Sequence, residues 1–316
     1  MTDSKRLTEG ALLTAVYIIL LLLTLFVPFF IMIGIFLLPI PFIMYTYKHS
    51  WKSALLMFVA VFIISGIVAT IASLPITLFV GIGGIVIGYS MHNRVKAYET
   101  WARGALGFII GFIIVISLLF FVLNINIFHE VDVVMEESFE TVQMMMHEFG
   151  LQGASNEQME MIEGQLQSFK NLIPSSIALV SILIAFVSQW LSYKITNRLY
   201  KEQFSFPFFR QFNLPIAVLW IYFIAIIASL FETNQESELA IVLLNVLTLT
   251  AMLLALQGFS FLFFFSYIKN IPVAIPIVII VLTILFPFVF LTFVRIIGII
   301  DLGFSLKKRL ANGGVS

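Results

Sequence analysis

Residues 11–27 read ALLTAVYIILLLLTLFV, an uncharged run preceded by Lys5 and Arg6 and closed by Pro28. A hydrocarbon core of roughly 30 Å takes about 20 mostly apolar residues in a helix, and this run with its flanks reaches that length. Its basic flank resembles that of a signal peptide. Thr24-Leu25-Phe26-Val27-Pro28, however, lacks the small-residue pattern at which such peptides are cut. The segment therefore reads as a retained first transmembrane helix, and it sets the ruler for the rest of the chain.

The remainder has the same character. Of 316 residues, 61% are hydrophobic, 15% aromatic and 11% charged, with a mean hydropathy of +1.08. Soluble domains carry about 25% charged residues, so a soluble globular protein is excluded. The absence of cysteine rules out thiol chemistry, a disulfide framework and Cys-based metal sites. With 17 Lys and Arg against 17 Asp and Glu, the balanced net charge points to no nucleic-acid partner. The lipid bilayer is the partner that composition dictates.

Measured on the first helix, the chain divides into spans at 8–27, 29–47, 53–73, 75–92, 101–125, 174–194, 214–231 and 239–266, followed by an apolar stretch from Pro272 to Leu306. Pro28 and Pro75 each end one helix and open the next, because proline suits a first turn and breaks an interior. Lys48, His49 and Lys52 mark one polar loop, and Asn93-Arg94-Val95-Lys96 another. No alternating ten-residue pattern of a barrel occurs. Helices alone satisfy backbone groups within such isolated spans.

Alternating the loops from a cytoplasmic N-terminus gathers Lys5, Arg6, Lys48, Lys52, Arg94, Lys96, Arg103, Lys194, Arg198, Lys201, Arg210 and Lys269 on the inner side, with only Lys170 outside. Basic residues are held back during insertion, so this asymmetry sets the orientation. Carboxylates such as Glu130, Glu136, Glu148, Glu157, Glu232 and Glu238 fall on the other side. A hairpin breaking near Pro287 into arms 272–286 and 288–304 would return Lys307, Lys308 and Arg309 to the cytoplasm; a single crossing would not. The expectation is an all-α polytopic integral membrane protein of about ten transmembrane helices, or nine if the last stretch crosses once.

Between the fifth and sixth spans, residues 128–172 turn abruptly to Glu, Gln, Met and Ser. Val131, Met135, Phe139, Val142, Met146 and Phe149 recur at three- and four-residue steps, giving one apolar stripe on a charged helix. Gly150 and Gly153 interrupt it. Ser155-Asn156-Glu157-Gln158 has the form of a capping box, and Met159, Ile162, Leu166, Phe169 and Ile173 form a second stripe. The segment reads as an extracytoplasmic amphipathic helical hairpin whose stripes pack on each other. Its methionines lie beside His129 and His147, which sets a soft-metal site such as Cu(I) against adaptable packing. Packing already accounts for Met135, Met146 and Met159, and no metal or cofactor is assigned. The domain organisation is then membrane helices one to five (1–127), the outer hairpin (128–172), the sixth helix and a basic loop (173–213), and C-terminal helices with a basic tail (214–316).

Enzyme chemistry finds no convergent constellation. The histidines are His49, His92, His129 and His147, and there is no HExxH, GxSxG, P-loop or GxGxxG motif. The glycine-rich 81–88 lies inside an apolar span, where Gly84 and Gly88 form a small-xxx-small pair suited to close helix packing. Arg295 falls within the apolar run 288–300, where an ionisable group is costly unless paired or hydrated. It is either an anion or gating contact, or a side chain that snorkels or pairs with a carbonyl. Asp301, six residues on, faces another side and is not taken as its partner. Gln189, Asn245 and Gln257 either line a solute pocket or hydrogen-bond between helices, the latter being the default. Together with Arg295 they are the candidate substrate-binding residues.

The opening Leu7-Thr8-Glu9-Gly10-Ala11-Leu12-Leu13-Thr14-Ala15-Val16-Tyr17, the span end Gly88-Tyr89-Ser90-Met91-His92 and the closing run from Ile297 to Arg309 resemble the YybS family. The resemblance covers essentially the whole chain and implies a bacterial, Gram-positive plasma-membrane protein without an established activity. The first six spans also resemble the substrate-binding components of energy-coupling-factor vitamin transporters. That likeness implies solute binding without catalysis. It also implies contact with a coupling subunit through Ala11-x3-Ala15, beside Gly10 on the first helix. The 128–172 insertion and the spans after Asn213 have no counterpart there. A membrane-transport reading is thus set against a scaffold that recruits cell-envelope partners; the substrate is left unassigned.

Overall fold

The computed structural model describes residues 3–148, 156–234 and 237–313. Among them regular structure is helical throughout: α1 Asp3–Phe26, α2 Phe30–Leu37, α3 Pro39–Val68, α4 Leu74–His92, α5 Ala97–Leu123, α6 Ile127–Glu148, α7 Asn156–Asn171, α8 Ile173–Tyr200, α9 Ala217–Phe231, α10 Glu238–Ile268, α11 Ala274–Leu285, α12 Pro287–Phe304 and α13 Leu306–Gly313. Seven apolar segments reach membrane-spanning length, and Ala217–Phe231 and Ala274–Leu285 are shorter apolar helices. The polytopic all-α fold follows.

One of the seven, 30–68, is folded back on itself. Ser50 sits at φ 71°, ψ 169° inside α3, a conformation essentially reserved for glycine. On a continuous helix Phe42 and Phe58 would stand about 24 Å apart at 1.5 Å per residue, yet their ring centroids are 5.9 Å apart. The chain therefore doubles back at Ser50, and α3 is a hairpin with limbs 39–49 and 51–68. The expected second span is itself interrupted at Leu38, where α2 gives way to Pro39 at the start of α3.

The chain forms two compact units, Met1–Lys170 with Ile177–Ser205, and Asn171–Ser176 with Phe206–Ser316. The first is organised around Tyr17, Leu21, Leu38, Phe42, Tyr45, Met57, Val61 and Val80. Tyr17 meets Phe42 edge to face at 5.0 Å, and its hydroxyl donates to Thr77 Oγ1 at 2.9 Å, which satisfies the one polar atom this aromatic carries into the core.

In the second unit α10 and α12 cross with their backbones in contact. A Cβ added at Gly298 would lie 1.9 Å from the Leu254 carbonyl oxygen, and one at Gly258 would lie 2.0 Å from that of Val294. Residues 248–252 of α10 share a cavity with 287–295 of α12, and Gln257 bonds Asp301 further along. The cavity and the Gln257–Asp301 bond place later residues of α10 beside later residues of α12, so the two helices run parallel and α11 returns between them. The break falls at Phe286, φ −131° and ψ 64°, with Pro287 opening α12. Its amide is not orphaned, since Phe286 N donates to Leu282 O at 2.8 Å. Residues 272–304 thus form the hairpin anticipated from Pro287.

α6 and α7 occupy the acidic segment. Val131, Met135, Phe139, Val142, Met146, Ile162 and Leu166 are half-buried, which matches the stripes, but Phe169 is 69% exposed and lies off the seam. Lys170 pairs with Asp132, which joins the end of α7 to the start of α6. Phe149, Gly150, Gly153 and the cap at Ser155 lie outside the described residues.

Candidate functional site

The loops that carry Lys and Arg in the first unit converge at one end. Glu9 in the first turns of α1 accepts from Lys48 Nζ at 2.6 Å and pairs with His49 Nε2 at 2.7 Å. Arg94 grips both oxygens of Glu202, each at 2.8 Å, and the Tyr47 hydroxyl donates to the same carboxylate at 2.6 Å. The arginine also lies over the Phe204 ring at 4.8 Å. These donors hold the Glu202 carboxyl down at about 2, Arg94 being the larger influence and Tyr47 the next. His92 Nδ1 lies 2.7 Å from the Tyr47 carbonyl oxygen. The N-terminal turns of α1, the α3 turn, residues 92–94 and residue 202 are consequently on the same side of this unit.

α1 presents two different open faces. On one, Leu12, Leu13 and Val16 join Met44 of α3 and Leu199 of α8 around a cavity of about 510 Å³, with Glu9, Lys48 and His49 at its polar end. On the other, Gly10, Ala11, Thr14 and Ala15 line a groove of about 840 Å³ against the second limb of α3. Ala11 and Ala15 are exposed, while Gly10 is buried against the Tyr45 ring. Small side chains leave this groove deep, because larger ones at the same positions would fill it.

Gln189 is fully buried and lines neither space. Its Nε2 donates to the Ala97 carbonyl at 2.9 Å and to the Tyr193 hydroxyl at 2.7 Å, which ties α8 to the start of α5. Its Oε1, with Ser181 Oγ and Ser192 Oγ, has no hydrogen-bond partner among the described residues. Gly84 and Gly88 lie against the first limb of α3, where added Cβ atoms would meet the Pro39 and Ile43 carbonyl oxygens at 2.8 and 2.6 Å.

The second unit holds the other polar candidates, and they divide among three places. Asn245 accepts from Ser175 N at 2.8 Å and donates to Asn171 O at 2.7 Å. It therefore supplies, from α10, a cap for the first turn of α8. Gln257 donates to Asp301 Oδ2 at 2.6 Å and accepts from Leu214 N at 2.9 Å. Asp301 accepts in turn from Lys307 N at 3.1 Å and has Lys307 Nζ at 3.6 Å. The ammonium also donates to Phe212 O and Ser260 Oγ, both at 2.7 Å. Burial pulls the Lys307 ammonium below the usual lysine range, with Asp301 opposing that shift. Arg295 stands apart from this network, its guanidinium 5.9 Å from the Tyr222 ring.

Gln189, Asn245, Gln257 and Arg295 thus do not form one site. The clusters around Glu9, Glu202 and Asp301 were not singled out by sequence reasoning, since their partners lie 39, 108 and 44 residues away. A usable signal existed: each is a carboxylate placed among loops otherwise rich in Lys and Arg. Gly258 and Gly298 were missed because Leu254 and Leu302 occupy the positions four residues away, so neither forms a small-xxx-small pair. In the acidic segment Met144, Met145 and Met161 are all more than half exposed.

A family model described as "Predicted membrane protein (DUF2232)" matches residues 15–302. The chain is 28% identical over 312 residues to "Uncharacterized protein YybS" of Bacillus subtilis (strain 168), a match that covers 98% of this chain and 100% of that protein. No solved structure matches. The chain belongs to the DUF2232 family of membrane proteins.

Proposed function

We propose that this DUF2232 member is a non-catalytic, solute-binding subunit of a membrane transport system, set in the bacterial plasma membrane with its N-terminus in the cytoplasm. The observation that carries the reading is the position of α1 between a cavity of about 510 Å³ and a groove of about 840 Å³. Small-molecule sites fall in a range of about 300–1,000 Å³ and are mostly apolar with a few placed polar groups. The cavity has that make-up, with Glu9, Lys48 and His49 at one end of aliphatic walls. The groove on the opposite face offers Ala11 and Ala15 to a partner helix, because small residues let helix backbones approach closely in lipid. A helix shared in this way couples an occupied cavity to a docked partner. Glu9 joins α1 to α3 through Lys48 and His49, so displacement of α1 must work against those pairs.

Native mass spectrometry of the full chain released from lipid tests both halves. Wild-type protein should carry a small molecule and a partner subunit. Leu199→Trp, which fills the cavity, should lose the first and keep the second; Ala15→Trp, which fills the groove, should do the reverse. Recovery of neither species from wild type would sink the proposal.

A scaffold role is the second reading, favoured by α6 and α7, where Glu130, Glu136, Glu137 and Glu140 are exposed. A crosslinker placed at these residues in intact cells should capture one defined envelope protein if this reading holds, and none if it does not.

A further inference from the structure

Arg295 sits half-buried in the middle of α12, and no carboxylate ion-pairs with it among the described residues. It opens on a cavity of about 430 Å³ between α10 and α12, beside Thr248, Met252, Phe288 and Thr292. A lone arginine at the centre of a transmembrane helix is costly unless it is paired or hydrated. Its counter-charge is therefore sought outside the chain.

The surroundings specify what can supply it. Phe288 is 95% exposed, and Met252, Pro287 and Leu291 line the same groove, so its walls present surface suited to acyl chains. The α11–α12 turn is level with 248–252 of α10, roughly 15 Å along the helix from Glu238 at 1.5 Å per residue. Above that submerged turn a headgroup can descend beside α10 toward the guanidinium. Thr292 Oγ1 is already bonded to Phe288 O at 3.2 Å, which leaves the Thr248 hydroxyl as the second donor.

We propose that this groove binds an anionic phospholipid, with its phosphate on Arg295 and Thr248 and its chains along Phe288 and Leu291. The site belongs to the second unit and does not depend on a solute or partner at α1. Arginine suits the role because its planar guanidinium donates to two phosphate oxygens at once and stays charged.

The test uses the full chain in phosphatidylcholine nanodiscs, titrated with phosphatidylglycerol and read by native mass spectrometry of the released protein. Wild type should retain phosphatidylglycerol at least tenfold over phosphatidylcholine. Arg295→Lys, which keeps the charge but not the paired donors, should keep part of that preference, and Arg295→Gln should lose it. A photoreactive phosphatidylglycerol should label the peptide that contains 287–295 in wild type, a readout that stands even if the glutamine variant does not fold. Equal retention by a folded Arg295→Gln, or labelling confined to other peptides, would overturn the proposal. So would displacement of the lipid by millimolar inorganic phosphate, which would mark a free-anion site, or crosslinking of an acidic protein at 287–295 in place of lipid.

Discussion

Replacing Gly298 by alanine tests the backbone contact at which α10 and α12 cross. The added Cβ would lie 1.9 Å from the Leu254 carbonyl oxygen and 2.9 Å from Gly258 N. Favourable non-bonded separations begin at about 3.5 Å, so the backbones must part by about 1.5 Å. No side chain can rotate away to relieve the clash, since the obstacle is main chain. That places the cost near the upper part of the range of about 1–3 kcal/mol for small-to-large changes. Alanine regains about 1 kcal/mol of helix propensity, which leaves a net loss of about 2 kcal/mol. Gly303→Ala on the same helix is the control, because its Cβ would meet Leu219 Cδ2 at an ordinary 3.5 Å. Thermal unfolding in detergent, followed by fluorescence-detected size exclusion, should show Gly298→Ala melting below wild type and Gly303→Ala at or above it. Equal melting of the two variants would refute the backbone contact.

Ser50→Gly should stabilise the protein by about 1 kcal/mol, since φ 71° and ψ 169° strain every residue but glycine by about 1–3 kcal/mol while glycine adds unfolded-state entropy; an unchanged or lower melting temperature would count against the α3 turn. Asp301→Ala should cost about 3–5 kcal/mol by leaving the Lys307 ammonium buried without its carboxylate, and Asp301→Asn with Lys307→Met should cost less, both read by the same melting assay. Glu202 gives a pH signature: a carboxyl held at about 2 stabilises fully above the ordinary value of about 4.3, and that contribution fades as pH falls toward 2. Hydrogen exchange at residues 92–96 should therefore accelerate over this acidic window in wild type, and Glu202→Gln should remove the pH dependence; the same acid response in the variant would refute the assignment.

What was legible in the sequence was local. Hydropathy marks a span because each apolar residue reports its own transfer cost, and Pro39, Ser50 and Pro287 interrupt helices near the punctuation that the chain displays. Fine packing was less accessible. Phe169 keeps the spacing of a seam residue but is 69% exposed, because periodicity names a face without naming what covers it. Gly258 and Gly298 are decisive at a crossing that unites residues 40 apart, and no window short enough to show helical period contains both. Gln257 reads as a polar residue in an apolar helix, and its partners Leu214 and Asp301 become visible only once three segments meet.

Charge links these levels. Cationic loops are what insertion reads, whereas carboxylates weigh little in that rule, so an acidic residue among the basic loops needs a different reason for its place. Glu9 pairs with Lys48 and His49, Glu99 with Arg103, Glu202 with Arg94, and Asp301 with Lys307. Each carboxylate meets a cation within its own unit, and three of the four join separate segments of the chain. In the acidic 128–172 segment Lys170 is the sole lysine or arginine, and its bond to Asp132 joins α7 to α6. In each setting the scarcer charge does the fastening: carboxylates among the basic loops, a lysine in the acidic segment. Neutralising Glu9 or Lys170 therefore removes a joint between segments, α1 to α3 in the first case and α7 to α6 in the second.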